Sequence, residues 1–114
     1  MRYFALDFET GNASPLSACA LGVSIFEDGR LVGERVSLLK PPACAGKFHW
    51  GNVRVNHIKE NMVQDAPSFA SFWRELAPLA EGSVLVAHNA MFDTGVLCAC
   101  LWRMEHCEHN WNAL

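Results

Sequence analysis

The sequence predicts a single α/β domain built on a mixed sheet with flanking helices, and three observations support this. Residues 2–9 alternate, with Phe4, Leu6 and Phe8 on one side and polar or small side chains on the other. Residues 17–27 and 30–39 read as two strands joined by an Asp28-Gly29 hairpin turn. Residues 83–88 form a short apolar strand after a helical pattern. The order β-β-β-α-β-α predicts an antiparallel three-strand meander and a crossover to a parallel fourth strand.

Length and composition set limits on the function. The chain has 114 residues, of which 51% are hydrophobic and 18% charged, as expected for one globular domain. A formal charge of −3 argues against attachment to nucleic acid through a broad basic surface, although it is compatible with an enzyme that reaches phosphate through metal ions. We see neither a signal peptide nor a run of about 20 apolar residues, so we expect a cytoplasmic protein without a membrane span.

The cysteines and the last histidines give weak signals. The five cysteines contain no CxxC pair, so neither a disulfide framework nor a thiolate zinc site is predicted. In the C-terminal "HCEH", His106 and His109 could share a helical face and hold a metal. No further ligand completes that site, and a solvated helix end is favoured.

The middle of the chain predicts a loop followed by a well-marked helix. Residues 40–56 read as a loop, and residues 57–62 as one short helical turn. Ser68 is the expected N-cap of a helix that ends near Gly82, with Pro78 fraying its last turn. The run 83–88 is of the kind that is buried on both faces. Asn89 is a suitable N-cap for a closing helix over about 90–108.

Two acids lie on one side of the first strand, close to its end. Alternation places Asp7 and Glu9 on the same face with side chains roughly 6–7 Å apart. Carboxylates at that separation repel, and divalent ions near them would remove the cost. The alternative is an edge strand whose acids simply face water.

A third acid, Asp93, falls in the first turn of the closing helix. There it favours the helix dipole by about 0.3–1 kcal/mol, which is a sufficient structural explanation. The functional alternative is that strand 83–88 lies parallel to strand 2–9, so that their carboxyl ends meet at one edge. Asp7, Glu9 and Asp93 would then converge, as a two-metal phosphodiesterase site requires.

Two motifs resemble those of the DEDD-superfamily 3′–5′ exonucleases of the DnaQ-like type. "FALDFETGN" and "VAHNAMFD" look like the first and second motifs of this family, which includes proofreading subunits of bacterial DNA polymerase III. The segment "VNHIKENMVQDAPSF" between them is also similar. The resemblance spans residues 3 to about 98 and implies a ribonuclease H-like fold. It further implies hydrolysis of single-stranded 3′ ends with two Mg²⁺ or Mn²⁺ ions.

The resemblance also implies roles for individual residues. Asp7, Glu9 and Asp93 match the catalytic, metal-binding acids. Thr10 and Gly11 would bring the backbone close to the terminal nucleotide. His57 and Ile58 would contact its base and sugar, although His57 reads equally well as a surface histidine in a loop. His88 is expected to be a group that supports the metal ligands from behind, or a buried hydrogen-bonding group, rather than the base.

The third family motif, a His followed five residues later by an Asp, is absent. No Asp follows Asp93, and the residues five after His106 and His109 are Trp111 and Leu114. The chain therefore looks like a C-terminally incomplete exonuclease domain, the N-terminal two-thirds spanning residues 1–114. We expect weak or absent activity from it, and association between copies through apolar surface that truncation would expose.

Three functional hypotheses follow from the sequence. The first is an exonuclease acting on nucleic-acid 3′ ends, with DNA favoured over RNA and a polymerase subunit as a candidate partner. The second is a catalytically dead binding or scaffold module associated with a polymerase or with nucleic acid. The third is another nuclease or nucleotidyl-transfer enzyme on the same fold.

Overall fold

The computed structural model describes residues 1–107, which follow the predicted order of elements with one additional helix. The strands are β1 (Arg2–Thr10), β2 (Ala18–Glu27), β3 (Arg30–Leu38) and β4 (Val84–Ala87). The helices are α1 (Trp50–Asn56), α2 (Phe69–Ala80) and α3 (Ala90–Cys107). Short 3₁₀ turns cover Pro15–Ser17, Ala43–Ala45 and Glu60–Met62. Within the described residues, no helix is both long and apolar enough to cross a membrane.

The strands form one mixed sheet in the order β3-β2-β1-β4. β1 pairs antiparallel with β2 and parallel with β4, the latter from Tyr3 to Leu6. Asp28 and Gly29 join β2 to β3 with φ values of 51° and 82°, the two positive values that a type I′ hairpin turn requires. The predicted meander with a parallel fourth strand is confirmed. Because β1 is paired on both sides, the interpretation of residues 2–9 as an edge strand is wrong.

The main core lies between the sheet and the two long helices. Phe4, Leu6 and Phe8 point to the same face of β1 and are 5% exposed or less. On that face the Phe4 ring meets Trp73 of α2 edge to face at 6.2 Å, and the Phe8 ring lies 6.3 Å from Phe69. Strand alternation alone gives this face, because every second side chain points the same way.

Both long helices begin where the sequence predicts. Ser68 caps α2, with its side-chain oxygen accepting a hydrogen bond from Ser71 N at 3.1 Å. α2 continues through Pro78 and ends at Ala80. α3 begins directly after Asn89, whose backbone carbonyl accepts from Asp93 N at 3.0 Å.

A β-bulge in β2 builds a second, smaller core. Glu9 pairs with Ala20 and Thr10 with Ala18, so Cys19 is the extra residue. Two consecutive side chains, those of Cys19 and Ala20, therefore pack into the same cluster, together with residues of the segment that links β3 to α2. That segment covers one end of the sheet face opposite the long helices.

The prediction that residues 83–88 form a strand buried on both faces is wrong for β4. It is an edge strand, and Val84, Leu85 and Val86 are 43%, 48% and 39% exposed. Within residues 1–107 it pairs with β1 alone. A continuous apolar run predicts a strand, but it cannot tell which strands will flank it.

The prediction of a loop over the whole of residues 40–56 is also wrong. The last seven of these residues are helical, and His57 ends that helix in the left-handed conformation, with φ 61°. The turn predicted over 57–62 reduces to the 3₁₀ turn Glu60–Met62. Gly51, Val53 and Val55 have weak intrinsic helix propensity, so local sequence gave little indication of α1.

Candidate active site

The two acids of β1 flank a buried phenylalanine at the carboxyl end of the strand. Phe8 points into the main core, so Asp7 and Glu9 lie on the opposite face of the sheet, as predicted. Asp7 is exposed and lines an open groove of about 440 Å³ with Gly22, Ser24 and neighbouring residues of β3. Glu9 is half-buried beside the second core.

Asp93 reaches the backbone between these two acids. It is 2% exposed, and its Oδ1 accepts a hydrogen bond from Phe8 N at 2.9 Å. The pairing of β4 with β1 stops at Leu6 and Ala87, so the Phe8 amide has no strand partner on that side. Asp93 therefore satisfies a buried amide at the point where the parallel ladder ends.

The three acids are neighbours without forming a ready-made ligand set. Among residues 1–107, no group of three or more His, Cys, Asp or Glu side chains lies close enough to hold a metal ion. The structure thus brings Asp93 to the strand segment that carries Asp7 and Glu9, but it does not gather the three carboxylates into one cluster. Their convergence around metal stays a prediction.

Cys19 lies next to Glu9 and has an unreactive thiol. Its side chain is fully buried, and its Sγ donates to the Glu9 carbonyl at 3.5 Å. Burial, with a smaller contribution from the Glu9 charge, raises the pKa of the Cys19 thiol to about 11. The thiol therefore stays protonated at neutral pH and is a poor nucleophile or metal ligand.

The carbonyls of the Thr10-Gly11 turn accept hydrogen bonds from other parts of the chain. The Thr10 carbonyl accepts from Asn52 Nδ2 at 3.1 Å and from Asn56 Nδ2 at 3.0 Å, both on α1. The Gly11 carbonyl accepts from His49 N at 2.8 Å. A Cβ on Gly11 would come within 2.5 Å of the Phe48 ring, so glycine is needed for this close packing. The nucleotide contact implied for Thr10 and Gly11 stays a prediction.

Asn12 is a positioning residue that sequence reasoning missed. Its Nδ2 donates to the carbonyls of Ala45 and Lys47 at 2.8 and 2.9 Å, and its Oδ1 accepts from Ser14 N at 2.7 Å. The side chain thus ties the turn after β1 to the segment before α1. The only available signal was its place directly after the Thr-Gly turn.

The remaining predicted residues occupy different environments. His57 is exposed at the end of α1, whereas Ile58 is 8% exposed and packs against Cys19 and Val63 in the second core. His88 is exposed in the turn before α3, which corrects the expectation of a buried hydrogen-bonding group. His106 contacts the Trp102 carbonyl at 2.8 Å through Nδ1. His109 lies outside the described residues.

Comparison with known protein families gives a match over almost the whole chain. The model of the RNase_T family, described as "Exonuclease", matches residues 4–112. The DNA polymerase III subunit epsilon-like protein of Rhodobacter capsulatus is 37% identical over 86 residues. The PolC-type DNA polymerase III of Thermotoga petrophila is 29% identical over 93 residues. These alignments cover 75% and 80% of this chain but only 12% and 7% of the two relatives.

Among solved structures, the chain is similar to E. coli exonuclease I. The crystal structure of that protein in complex with a 5cy-dA13 oligonucleotide superposes with a TM-score of 0.78 and 17% identity. The match covers 90% of this chain and 24% of exonuclease I. At this identity the likeness establishes the fold, which is ribonuclease H-like.

Proposed function

The chain belongs to the RNase_T family of exonucleases, and on that basis we propose that it acts on single-stranded nucleic-acid 3′ ends through a two-metal site formed by Asp7, Glu9 and Asp93. One observation carries the proposal. The hydrogen bond from Phe8 N to Asp93 Oδ1 fixes the third acid against the strand segment that bears the other two. We propose that the second carboxylate oxygen of Asp93, which this bond does not use, is the metal ligand.

The donor atoms are of the kind that Mg²⁺ and Mn²⁺ prefer, although the three carboxylates are not gathered into one cluster. All three side chains offer carboxylate oxygens, which these cations prefer, and Asp7 and Glu9 share one face of β1. When bound, the ions would supply positive charge to the transition state of phosphodiester hydrolysis and lower the pKa of the attacking water. Asp93 would contribute a ligand whose orientation the Phe8 amide sets in advance.

We expect these 114 residues to lack an efficient general base for the proton of the attacking water. The family resemblance assigns this role to a His followed five residues later by an Asp, and no Asp follows Asp93 in the 114 residues. A general base contributes typically 10²–10⁴-fold to the rate. We therefore propose that these 114 residues hydrolyse nucleic acid slowly, at a rate reduced by about that factor.

The names of the relatives support the choice of substrate and partner. One of them is a PolC-type DNA polymerase III, another is named for its similarity to the epsilon subunit of DNA polymerase III, and exonuclease I was crystallised with a DNA oligonucleotide. We infer a DNA 3′ end as substrate and a polymerase as partner. A second copy of the chain could also pair through the apolar edge of β4. The cytoplasmic location expected from the sequence stays a prediction.

Hydrolysis and metal binding can be measured on the same protein. We expect Mn²⁺ to bind the wild-type chain in calorimetric titrations, and slow shortening of a 5′-labelled DNA oligonucleotide from its 3′ end. Asp7→Ala should abolish both, whereas the control Asp65→Ala, at an exposed acid outside the site, should change neither.

The outcomes separate the hypotheses. Release of label from the 5′ end first would contradict the proposed polarity. Oligonucleotide binding without Mn²⁺ binding or hydrolysis would support a binding module in place of the exonuclease. Rapid hydrolysis by the wild-type chain would refute the proposed lack of a general base.

A further inference from the structure

One side of α1 is fixed to the end of the strand that carries the acids. Asn52 and Asn56 are four residues apart and therefore lie on the same side of the helix. Both side chains donate to the carbonyl of Thr10, the residue after Glu9. α1 is thus held directly beside the candidate active site.

The opposite side of α1 carries an exposed tryptophan and an exposed arginine. Trp50 and Arg54 are also four residues apart, and the helix turns by about 100° per residue, so they lie roughly 160–200° away from Asn52. Trp50 is 70% exposed, and Arg54 is exposed. We call this pair the outer face of α1.

The position of the Trp50 ring is restricted by His49. The two ring centroids lie 5.4 Å apart with an interplanar angle of 32°. His49 is itself fixed, because its Nδ1 accepts from Gly51 N at 3.1 Å as the N-cap of α1. An exposed aromatic ring with limited freedom is suited to stacking, since little conformational entropy is lost when a flat ligand binds.

The segment that contains this face has a charge opposite to that of the whole chain. Residues 47–60 contain three exposed cations, Lys47, Arg54 and Lys59, and one acid, Glu60, whose side chain accepts a hydrogen bond from Phe48 N. The segment is therefore net positive, although the chain carries a formal charge of −3. A cationic segment with an exposed aromatic ring complements a strand of phosphates and unpaired bases. Aromatic stacking of this kind accepts any base.

We propose that the outer face of α1 is a contact site for single-stranded nucleic acid, in which Trp50 stacks on a base and Arg54 pairs with a phosphate. The outer face is separated from the end of β1 by about the 10 Å diameter of a helix. A base stacked on Trp50 would therefore belong to a nucleotide other than the terminal one. This inference rests on the proposed function and adds to it the residues that hold the strand.

Two oligonucleotides distinguish stacking from charge. Binding of dT12 and of an abasic 12-mer would be measured by fluorescence anisotropy in Ca²⁺, which uses the same oxygen ligands as Mg²⁺. Trp50→Ala should weaken dT12 binding at least fivefold, equivalent to about 1 kcal/mol, and leave abasic binding unchanged. Trp50→Phe should retain most of the affinity. Arg54→Ala should weaken both ligands and reduce the slope of log K against log salt by about 0.7.

Two variants on remote surfaces serve as controls. Trp102→Ala removes a tryptophan of similar exposure, 60%, from the far part of α3. Arg30→Ala removes an exposed cation beside the β2–β3 turn. Neither should change dT12 binding.

The results separate this inference from the proposed function. If the wild type binds dT12 and Trp50→Ala binds it equally well, the stacking site is wrong while the proposed function stands. If Trp50→Ala loses affinity for both ligands alike, the surface recognises charge only and stacking is refuted. If the wild type binds neither ligand, both proposals fail.

Discussion

The hydrogen bond between Asp93 and the Phe8 amide gives a sharp test, because two substitutions separate its structural role from its role as a ligand. An asparagine at this position would keep an acceptor oxygen for the amide, whereas an alanine would not. We therefore expect Asp93→Ala to destabilise the fold strongly and Asp93→Asn to do so only slightly. Both variants should lose Mn²⁺ binding, since neither retains the carboxylate.

The size of the difference follows from the structure. The bond is 2.9 Å long and buried, and β4 offers no alternative partner to the Phe8 amide. Loss of a hydrogen bond to a charged acceptor costs about 1.5–3 kcal/mol, and loss of the acid from the first turn of α3 about 0.3–1 kcal/mol. Asp93→Ala should thus lose roughly 2–4 kcal/mol. Asp93→Asn should lose about 1 kcal/mol, because its neutral acceptor is weaker.

Urea unfolding followed by circular dichroism would measure both variants in EDTA, so that metal binding does not contribute. At about 4–8 °C per kcal/mol, Asp93→Ala should also melt roughly 10–30 °C below the wild type. Equal stability of the two variants would refute the structural role assigned to the side-chain oxygen of Asp93. Retention of Mn²⁺ binding by Asp93→Asn would refute its role as a ligand.

Three further predictions concern the surroundings of the site. In thermal unfolding, Gly11→Ala should displace the Phe48 ring and lower the stability of the fold by about 1–3 kcal/mol. The control Gly95→Ala adds a methyl group in open space on α3, and it should raise the stability by up to about 1 kcal/mol. The pKa of the Cys19 thiol is raised from 9.0 to about 11 in the folded protein. Its contribution of about 1–3 kcal/mol to the free energy of unfolding is therefore complete below pH 9 and is lost as pH rises from 9 to 11. Unfolding in urea across that range should show the loss, and Cys19→Ala should remove this part of the pH dependence. Val86→Lys should place a charge on the edge of β4 and abolish concentration-dependent association in sedimentation velocity; association that persists in this variant would refute β4 as the contact.

The elements with strong local signals could be predicted from sequence. Alternation in residues 2–9, the Asp28-Gly29 turn and the Ser68 cap each specify a structure within a few residues, and all three are confirmed. The placement of Asp93 near β1 could also be anticipated, because parallel strands bring their carboxyl ends to the same edge of a sheet.

Features that depend on distant partners could not be predicted. α1 has weak propensity and is fixed by two asparagine side chains that bond to Thr10, more than forty residues away along the chain. The exposure of β4 depends on which strands lie beside it. The partner of the Asp93 carboxylate depends on where the pairing of β4 stops, which the apolar pattern of residues 83–88 does not encode.

The two hydrogen bonds from α1 to the Thr10 carbonyl, one from Asn52 and one from Asn56, have a consequence for local unfolding. A helix of seven residues has little stability by itself, so α1 depends on tertiary contacts such as these two hydrogen bonds. Opening of α1 would release the carbonyls of Thr10 and Gly11, the second of which accepts from His49 N. The backbone amides of His49 and His57 should therefore exchange hydrogen together, as one cooperative unit, and before those in the centre of β1. The turn that follows the acids and the helix beside it would then gain or lose order in a single step.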